Sequence, residues 1–152
     1  MSPVLLLLTS SLSALDIAQL AGDWTPDPEA SWQAQLRAKP GLATATGDAL
    51  AAERERMLRR CARSTFTLAA DRIVIRVRRD DGSERSDIAA LGAVVSTDAQ
   101  TATATATPAD AAKGPMRVAF AQAADGALRL TFTRDTMVEA VVLRRPTTEP
   151  TP

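Results

Sequence analysis

Few side chains in this 152-residue sequence can do acid–base, nucleophilic or metal chemistry, because histidine is absent and there is a single cysteine. Histidine is the commonest general base and transition-metal ligand. Its absence excludes a Ser-His-Asp triad, a Cys-His pair and a His-ligated zinc site within this chain. A lone cysteine also cannot form an internal disulfide. We therefore expect a protein that is not an enzyme and that holds no cofactor and no metal.

The remaining candidates for chemistry have simpler explanations. Cys61 shares the apolar stripe of a predicted helix with Leu50 and Met57, which is typical of a buried small hydrophobe. A reactive thiol would need exposure and a lowered pKa, for which only the neighbouring arginines argue. The acidic pair Asp80-Asp81 stands before Gly82-Ser83, so a turn explains it better than glycosidase chemistry or calcium binding.

Basic residues crowd the end of the same predicted helix: Arg54, Arg56, Arg59, Arg60 and Arg63. They indicate either a site for an anion or acidic partner, or a solvated helix face. We favour the solvated face, because cations are stabilised near helix C-termini and Glu55 precedes Arg59 by four residues. The net charge of zero and the pI near 6.3 give no reason to expect a nucleic-acid partner.

Alternation of apolar and polar residues dominates the last two thirds of the chain. Ile73, Ile75 and Val77, for example, fall on one face of a predicted strand. The predicted strands cover residues 65–69, 72–79, 86–97, 101–107, 115–122, 127–134 and 137–145, and Trp24 begins an earlier one. About eight short strands joined in sequence order predict a mainly β fold, an antiparallel up-and-down barrel, because closure removes the exposed edges of an open sheet.

A helical insertion is predicted after the first strand, over residues 27–63. Asp27 can cap the first helix and Pro28 suits its first position. Pro40-Gly41 is predicted to end that helix, a small-residue linker follows over 42–47, and a second helix runs from about Asp48 to Arg63.

Both ends of the chain differ from the barrel domain, predicted over residues 15–145. Residues 1–14 read as a signal peptide, with an apolar run too short for the ~20 residues of a membrane span. We therefore expect export to the periplasm or outside the cell, with no integral membrane segment in the mature chain. The alternative is an N-terminal core strand or helix, since no basic residue precedes the apolar run. Residues 146–152 are predicted to be a disordered tail.

Four short motifs carry a resemblance to a known family: Gly22-Asp23-Trp24, Asp27-Pro28-Glu29-Ala30, residues 66–71 and residues 141–145. In this order they resemble the bacterial lipocalin-like domain proteins over about residues 15–146. Arg72 stands where the family usually has glycine after the aspartate, and Ala93 where it usually has an aromatic residue. The resemblance implies a small lipocalin-like barrel, exported in many members and without a defined activity, and it transfers no catalytic residue.

The predicted strand 101–107 alternates threonine and alanine, so its inward side chains are small whichever set points inward. Ala119 and Ala121 on a nearby strand are small too. That sector is either hollow, giving a cavity for a small apolar ligand, or filled by the helical insertion, or simply a core rich in alanine because the genome favours that residue. We favour filling, because the insertion has two apolar faces to bury.

Five residues are candidates to line a ligand cavity: Trp24, Phe66, Phe120, Phe132 and Glu139. The four aromatic residues lie in predicted strands among other apolar residues and are expected to form the core. Glu139 shares a strand face with Val141 and Leu143. If that face is inner, its carboxylate must be paired with an arginine or have a raised pKa. The opposite face is apolar as well, and we slightly favour an outward Glu139.

The sequence thus predicts an exported, non-enzymatic small β-barrel that binds a small apolar or amphipathic ligand. The alternative is a structural or interaction protein of the cell envelope, with a filled barrel and no ligand. An apolar void of about 300 Å³ or more would favour the first. A helix plugging the barrel would favour the second. Nothing in the sequence indicates an oligomeric state.

Overall fold

The computed structural model describes residues 14–147, in which nine strands follow one another around a helical insertion. The strands are β1 Gly22–Pro26, β2 Ser64–Ala69, β3 Arg72–Arg78, β4 Glu84–Leu91, β5 Val95–Ser96, β6 Thr101–Pro108, β7 Met116–Gln122, β8 Leu128–Arg134 and β9 Met137–Arg144. The helices are α1 Pro28–Ala38, α2 Pro40–Ala43 and α3 Gly47–Arg63, with a short 3-10 helix at Ile17–Leu20. The predicted signal peptide and most of the predicted tail lie outside the described residues.

Eight of the strands form a closed antiparallel ring in the order β1-β2-β3-β4-β6-β7-β8-β9. The ring closes where β1 pairs with β9, at Pro26 opposite Leu143, and where β4 pairs with β6, at Ala90 opposite Thr107. The fifth strand, β5, lies outside the ring and pairs with β6. The predicted mainly β barrel of about eight strands, with helices inserted after the first strand, is confirmed.

One predicted strand is wrong in its extent. Residues 86–97 were expected to form a single strand, but β4 ends at Leu91 and β5 begins at Val95. Both segments pair with β6, and the register shifts by one residue between them. Gly92, whose N–H donates to the Thr105 carbonyl, lies at this interruption. Glycine weakens a strand and often marks such a local irregularity.

The helical insertion begins as predicted, but it contains three helices and not the two that were predicted. Asp27 caps α1 by accepting a hydrogen bond from the Ala30 N–H at 3.1 Å. Pro40 does not simply end the first helix. It begins the four-residue helix α2, because proline needs no partner for its nitrogen at a first helical position. The predicted linker 42–47 is accordingly shorter, and α3 runs over 47–63 as expected.

One end of the barrel is closed by the segment that precedes β1. The apolar side chains of this segment that join the main core are Leu15, Ile17 and Leu20. Trp24 is 1% exposed, and its indole N–H donates to the Leu20 carbonyl at 2.8 Å. The guanidinium of Arg145 lies 4.1 Å from the centre of the Trp24 ring and donates to the Ala21 carbonyl. β5 holds the segment in place, because the Ser96 hydroxyl accepts from the Leu15 N–H.

The first helix completes the barrel wall where β1 is too short to do so. β1 pairs with β9 at only two positions, and α1 packs along the remaining length of β9. The Ser31 hydroxyl accepts from the Val142 N–H at 2.9 Å and donates to the Val142 carbonyl at 3.2 Å. The Gln35 side-chain oxygen accepts from the Ala140 N–H at 2.7 Å. These buried side chains replace the missing strand partners of β9.

An ion pair fixes the start of α1 against the end of β9. The guanidinium of Arg144 lies 2.7 Å from the Asp27 carboxylate and 3.0 Å from that of Asp125. The hydrogen bond from Arg144 is the main reason that the pKa of Asp27 is lowered, with a further contribution from the Ala30 N–H. Because the lowered pKa belongs to the folded state, this stabilisation is complete above the ordinary value of 3.8 and is lost as the pH falls through the lowered one.

Candidate functional site

A cavity of about 530 Å³ occupies the end of the barrel opposite the closed one. It lies where β2, β7 and β9 begin and where β6 and β8 end. The apolar side chains that line it include Phe66, Ile73, Ile75, Met116, Phe132 and Val141. This volume lies within the range of about 300–1,000 Å³ that is usual for small-molecule pockets.

The five predicted cavity residues separate into two groups. Phe66, Phe132 and Glu139 line the cavity. Trp24 and Phe120 do not, because both are 1% exposed in the core toward the closed end. Phe132 was expected to be a core residue like the other three aromatics. It is instead partly buried, with one side against the core and another against the cavity.

The inward position of Glu139 corrects the slight preference for an outward one. Glu139 stands opposite Phe132 in the register of β8 and β9, and it shares its strand face with Leu143, which is fully buried. The opposite face of β9 is also apolar, with Ala140 buried and Val138 and Val142 partly buried. Alternation therefore could not distinguish the two faces. The carboxylate is paired, as expected for an inner position, with Arg60 at 3.2 Å.

The alanine-rich strand is not the hollow sector, and the helical insertion does not fill it. Ala102, Ala104 and Ala106 point inward and are buried in the main core. Ala102 stands opposite Phe120, so a small residue on β6 faces a large one on β7. Within residues 14–147 that core includes no residue of α1 or α3. The preference for filling by the insertion was therefore wrong.

The third helix covers the cavity mouth and does not enter the barrel. One face of α3 lines the cavity, with side chains at the i, i+3, i+4, i+7 and i+8 positions of a helix face: Glu53, Arg56, Met57, Arg60 and Cys61. Cys61 is 7% exposed, and burial raises the pKa of its thiol. The predicted burial of Cys61 is confirmed, and its lack of reactivity stays a prediction. We refer to α3 as the lid helix.

The arginines of the lid helix are solvent-exposed and paired with carboxylates. The pairs are Arg54 with Glu29, Arg56 with Glu53, Arg59 with Glu55, Arg60 with Glu139 and Arg63 with Asp80. The predicted solvated face, including the pair of Glu55 and Arg59, is confirmed. Since each of the five has an acidic partner, this surface offers no surplus charge for an anion. Three of the pairs join the lid helix to α1, to the β3–β4 turn and to β9.

Five charged residues of the cavity lining were not predicted, and two of them, Arg134 and Asp87, lie on strands. Arg134 follows Phe132 by two positions on β8, and Asp87 lies two positions before Ala89 on β4. Period-two alternation alone would have placed each on the inner face with its neighbour. At the mouth, β4 begins and β8 ends with polar residues. A charged residue at such a position is expected to be exposed to solvent, so neither was predicted to line the cavity.

Other kinds of site find no support in the part of the chain that the structure describes. Residues 14–147 contain no group of three cysteine, aspartate and glutamate side chains that could hold a metal ion. None of the helices in this range is long and apolar enough to cross a membrane. Comparison with protein-family models, with curated proteins and with solved structures found no match to this chain. Function must therefore be argued from the cavity.

Proposed function

We propose that this protein is a lipocalin-like binding module that holds a small apolar or amphipathic molecule in the barrel cavity. The observation that carries the proposal is the cavity itself, about 530 Å³ and lined largely by apolar side chains. Binding sites for small molecules usually have volumes of about 300–1,000 Å³, mainly apolar walls and a few placed polar groups. Transfer of a ligand's apolar surface from water to such walls is the driving force for binding.

The alternative, a structural protein of the cell envelope, requires a barrel with no room for a ligand. The arrangement of the helices argues against it, since α1 packs outside β9 and the lid helix lies over the mouth. The proposal includes no reaction. In support, the chain has no histidine, and the cavity carboxylates of Glu53, Asp87 and Glu139 each have an arginine partner.

Export is part of the proposal, with a mature chain that begins within a few residues of Leu15. Leu15 and Ile17 are buried at the closed end, so cleavage just before Leu15 would leave the core complete. N-terminal sequencing of the protein from its own host should give a start near Leu15 in a fraction outside the cytoplasm. An intact Met1 in the cytosolic fraction would contradict export and leave the binding proposal unaffected.

Ligand binding is tested with an environment-sensitive apolar dye and a variant that fills the cavity. Ala89 lines the cavity on the inner face of β4, and Ala90, its neighbour, is exposed. We expect the native protein to bind the dye at one site. Ala89→Trp should weaken binding at least about tenfold, because the indole occupies the space of the ligand. The matched control, Ala90→Trp, should bind as the unchanged protein does.

Fluorescence titration gives the affinities, and chemical denaturation shows whether each variant stays folded. Equal dye binding by the two tryptophan variants would contradict a cavity site. So would binding that appears only near the denaturation midpoint, because loosely packed states bind such dyes without a specific site.

A further inference from the structure

Arg134 differs from the other arginines of the cavity because its guanidinium has no partner among the described residues. Its Nε is the single buried side-chain nitrogen or oxygen without a hydrogen-bond partner in residues 14–147. No carboxylate of this range forms an ion pair with it. Leu130, Phe132 and Arg134 alternate along one face of β8, so the guanidinium comes directly after the aromatic wall of the cavity.

The neighbouring charges are already compensated. Arg56 pairs with Glu53, Arg60 with Glu139 at 3.2 Å, and the carboxylate of Asp87 with Arg85 at 3.1 Å. Asp110, the remaining acidic residue of the lining, accepts from the Ala112 N–H in its own turn. Lys113 lines the rim and is exposed, again without an ion pair in the described residues. Among the charged residues of the lining, Arg134 is therefore the one with a buried polar atom left without a partner.

A buried donor of a charged group without an acceptor is costly, and proteins rarely leave one. The cost disappears when a ligand supplies the acceptor. A guanidinium offers parallel N–H groups that match the two oxygens of a carboxylate, or those of a phosphate or sulfate ester. An apolar wall that ends in such a group fits a molecule with an apolar tail and an anionic head.

We propose that Arg134 binds the anionic head group of an amphipathic ligand whose apolar part lies against Phe66 and Phe132. This inference rests on the proposed function and adds the chemical class of the ligand, an oxyanion joined to an apolar chain. Arg134 supplies charge and direction, and the walls supply the apolar contact.

The test compares three probes with the same 12-carbon chain: dodecanoate, dodecyl phosphate and dodecanol. Displacement of the apolar dye and isothermal titration calorimetry give the affinities, at concentrations below micelle formation. The native protein should bind the two anions about ten- to a hundredfold more tightly than the alcohol, as a charge-assisted hydrogen bond implies. The ratio of the two anions distinguishes a carboxylate from a phosphate head group.

Arg134→Gln should remove that preference while affinity for dodecanol stays within about twofold. Arg129 lies on the same strand, exposed on the opposite face, so Arg129→Gln is the matched control and should change nothing. Arg134→Lys keeps the charge without the paired N–H groups and should retain part of the preference. If Arg134→Gln fails to fold, the lysine variant and the three probes on the native protein still show whether Arg134 binds the anionic head group.

Equal affinity of the native protein for the alcohol and the anions would overturn the assignment of Arg134, with the cavity proposal intact. An equal loss of anion binding in Arg129→Gln would do the same, because a general charge effect would then explain it. If no probe displaces the dye and Ala89→Trp does not weaken dye binding, the proposed function itself fails.

Discussion

Replacing Phe120 with alanine is expected to lower the free energy of unfolding by roughly 3–5 kcal/mol, the usual cost of truncating a fully buried aromatic residue. Phe120 is 1% exposed and lies in the core between Ala102 on β6 and Leu130 on β8. Because Ala102 is small, the walls cannot close over the space that the ring leaves. Urea or guanidinium denaturation should show a large fall in the midpoint, since such a loss is a large part of a domain's stability.

Two further variants serve as controls for this effect. Phe132→Ala should cost less than Phe120→Ala, because the Phe132 ring already faces open space on its cavity side. Thr103→Ala should cost least, since Thr103 stands on the outer face of β6 between two inward alanines. Equal, small losses for Phe120 and Thr103 would mean that β6 and β7 do not pair as described.

The second large effect is expected at the seam between α1 and β9. Ser31 is fully buried, and Ser31→Ala removes the hydroxyl that bonds both backbone groups of Val142. The Val142 carbonyl keeps a bond from the Asp27 N–H, but the Val142 N–H is left buried without an acceptor. An unsatisfied buried group costs about 1–3 kcal/mol, and the loss should appear in the denaturation midpoint.

Amide hydrogen exchange shows where in the structure the stability is lost. The Val142 amide should exchange faster in Ser31→Ala, whereas amides of β3 should lose protection only as far as global stability falls. Ser86→Ala, at an exposed position on β4, is the control and should leave both the midpoint and the exchange unchanged. Unchanged protection of Val142 would show that the side chain of Ser31 is not a substitute for a strand partner.

The barrel was predictable because its signals are local. Strands such as 72–78 and 128–134 alternate over most of their length, and residues such as Asp125-Gly126 mark the turns between them. Closure then follows from the number of strands and the need to cover their edges. The interruption at Gly92 has a local signal as well, since a glycine inside a strand pattern suggests an irregularity.

The position of the helices was not predictable from local pattern, and the errors about the site follow from that. An amphipathic helix must cover something, but its sequence does not say whether it enters a barrel, closes its mouth or packs on its wall. α1 packs beside β9 as part of the wall, and both faces of β9 are apolar, so alternation does not show the direction of Glu139. For Arg134, in contrast to Glu139, local alternation gives the right answer, because Arg134 follows Phe132 by two positions and so lies on the inner face. Only its charge suggested that it would be on the surface.

The attachment of the lid helix determines how a ligand would enter and leave. At its C-terminal end α3 continues into β2 without a loop, and the Ser64 hydroxyl donates to the Arg60 carbonyl there. Its other end is joined to α2 only through residues 44–46. Between these ends it packs against α1, β1 and β3, and it also makes exposed ion pairs, each worth about 0–1 kcal/mol and screened by salt. Because salt weakens these ion pairs and leaves the packing, a rise in ionic strength would loosen the lid helix in part and shorten the residence time of a bound molecule.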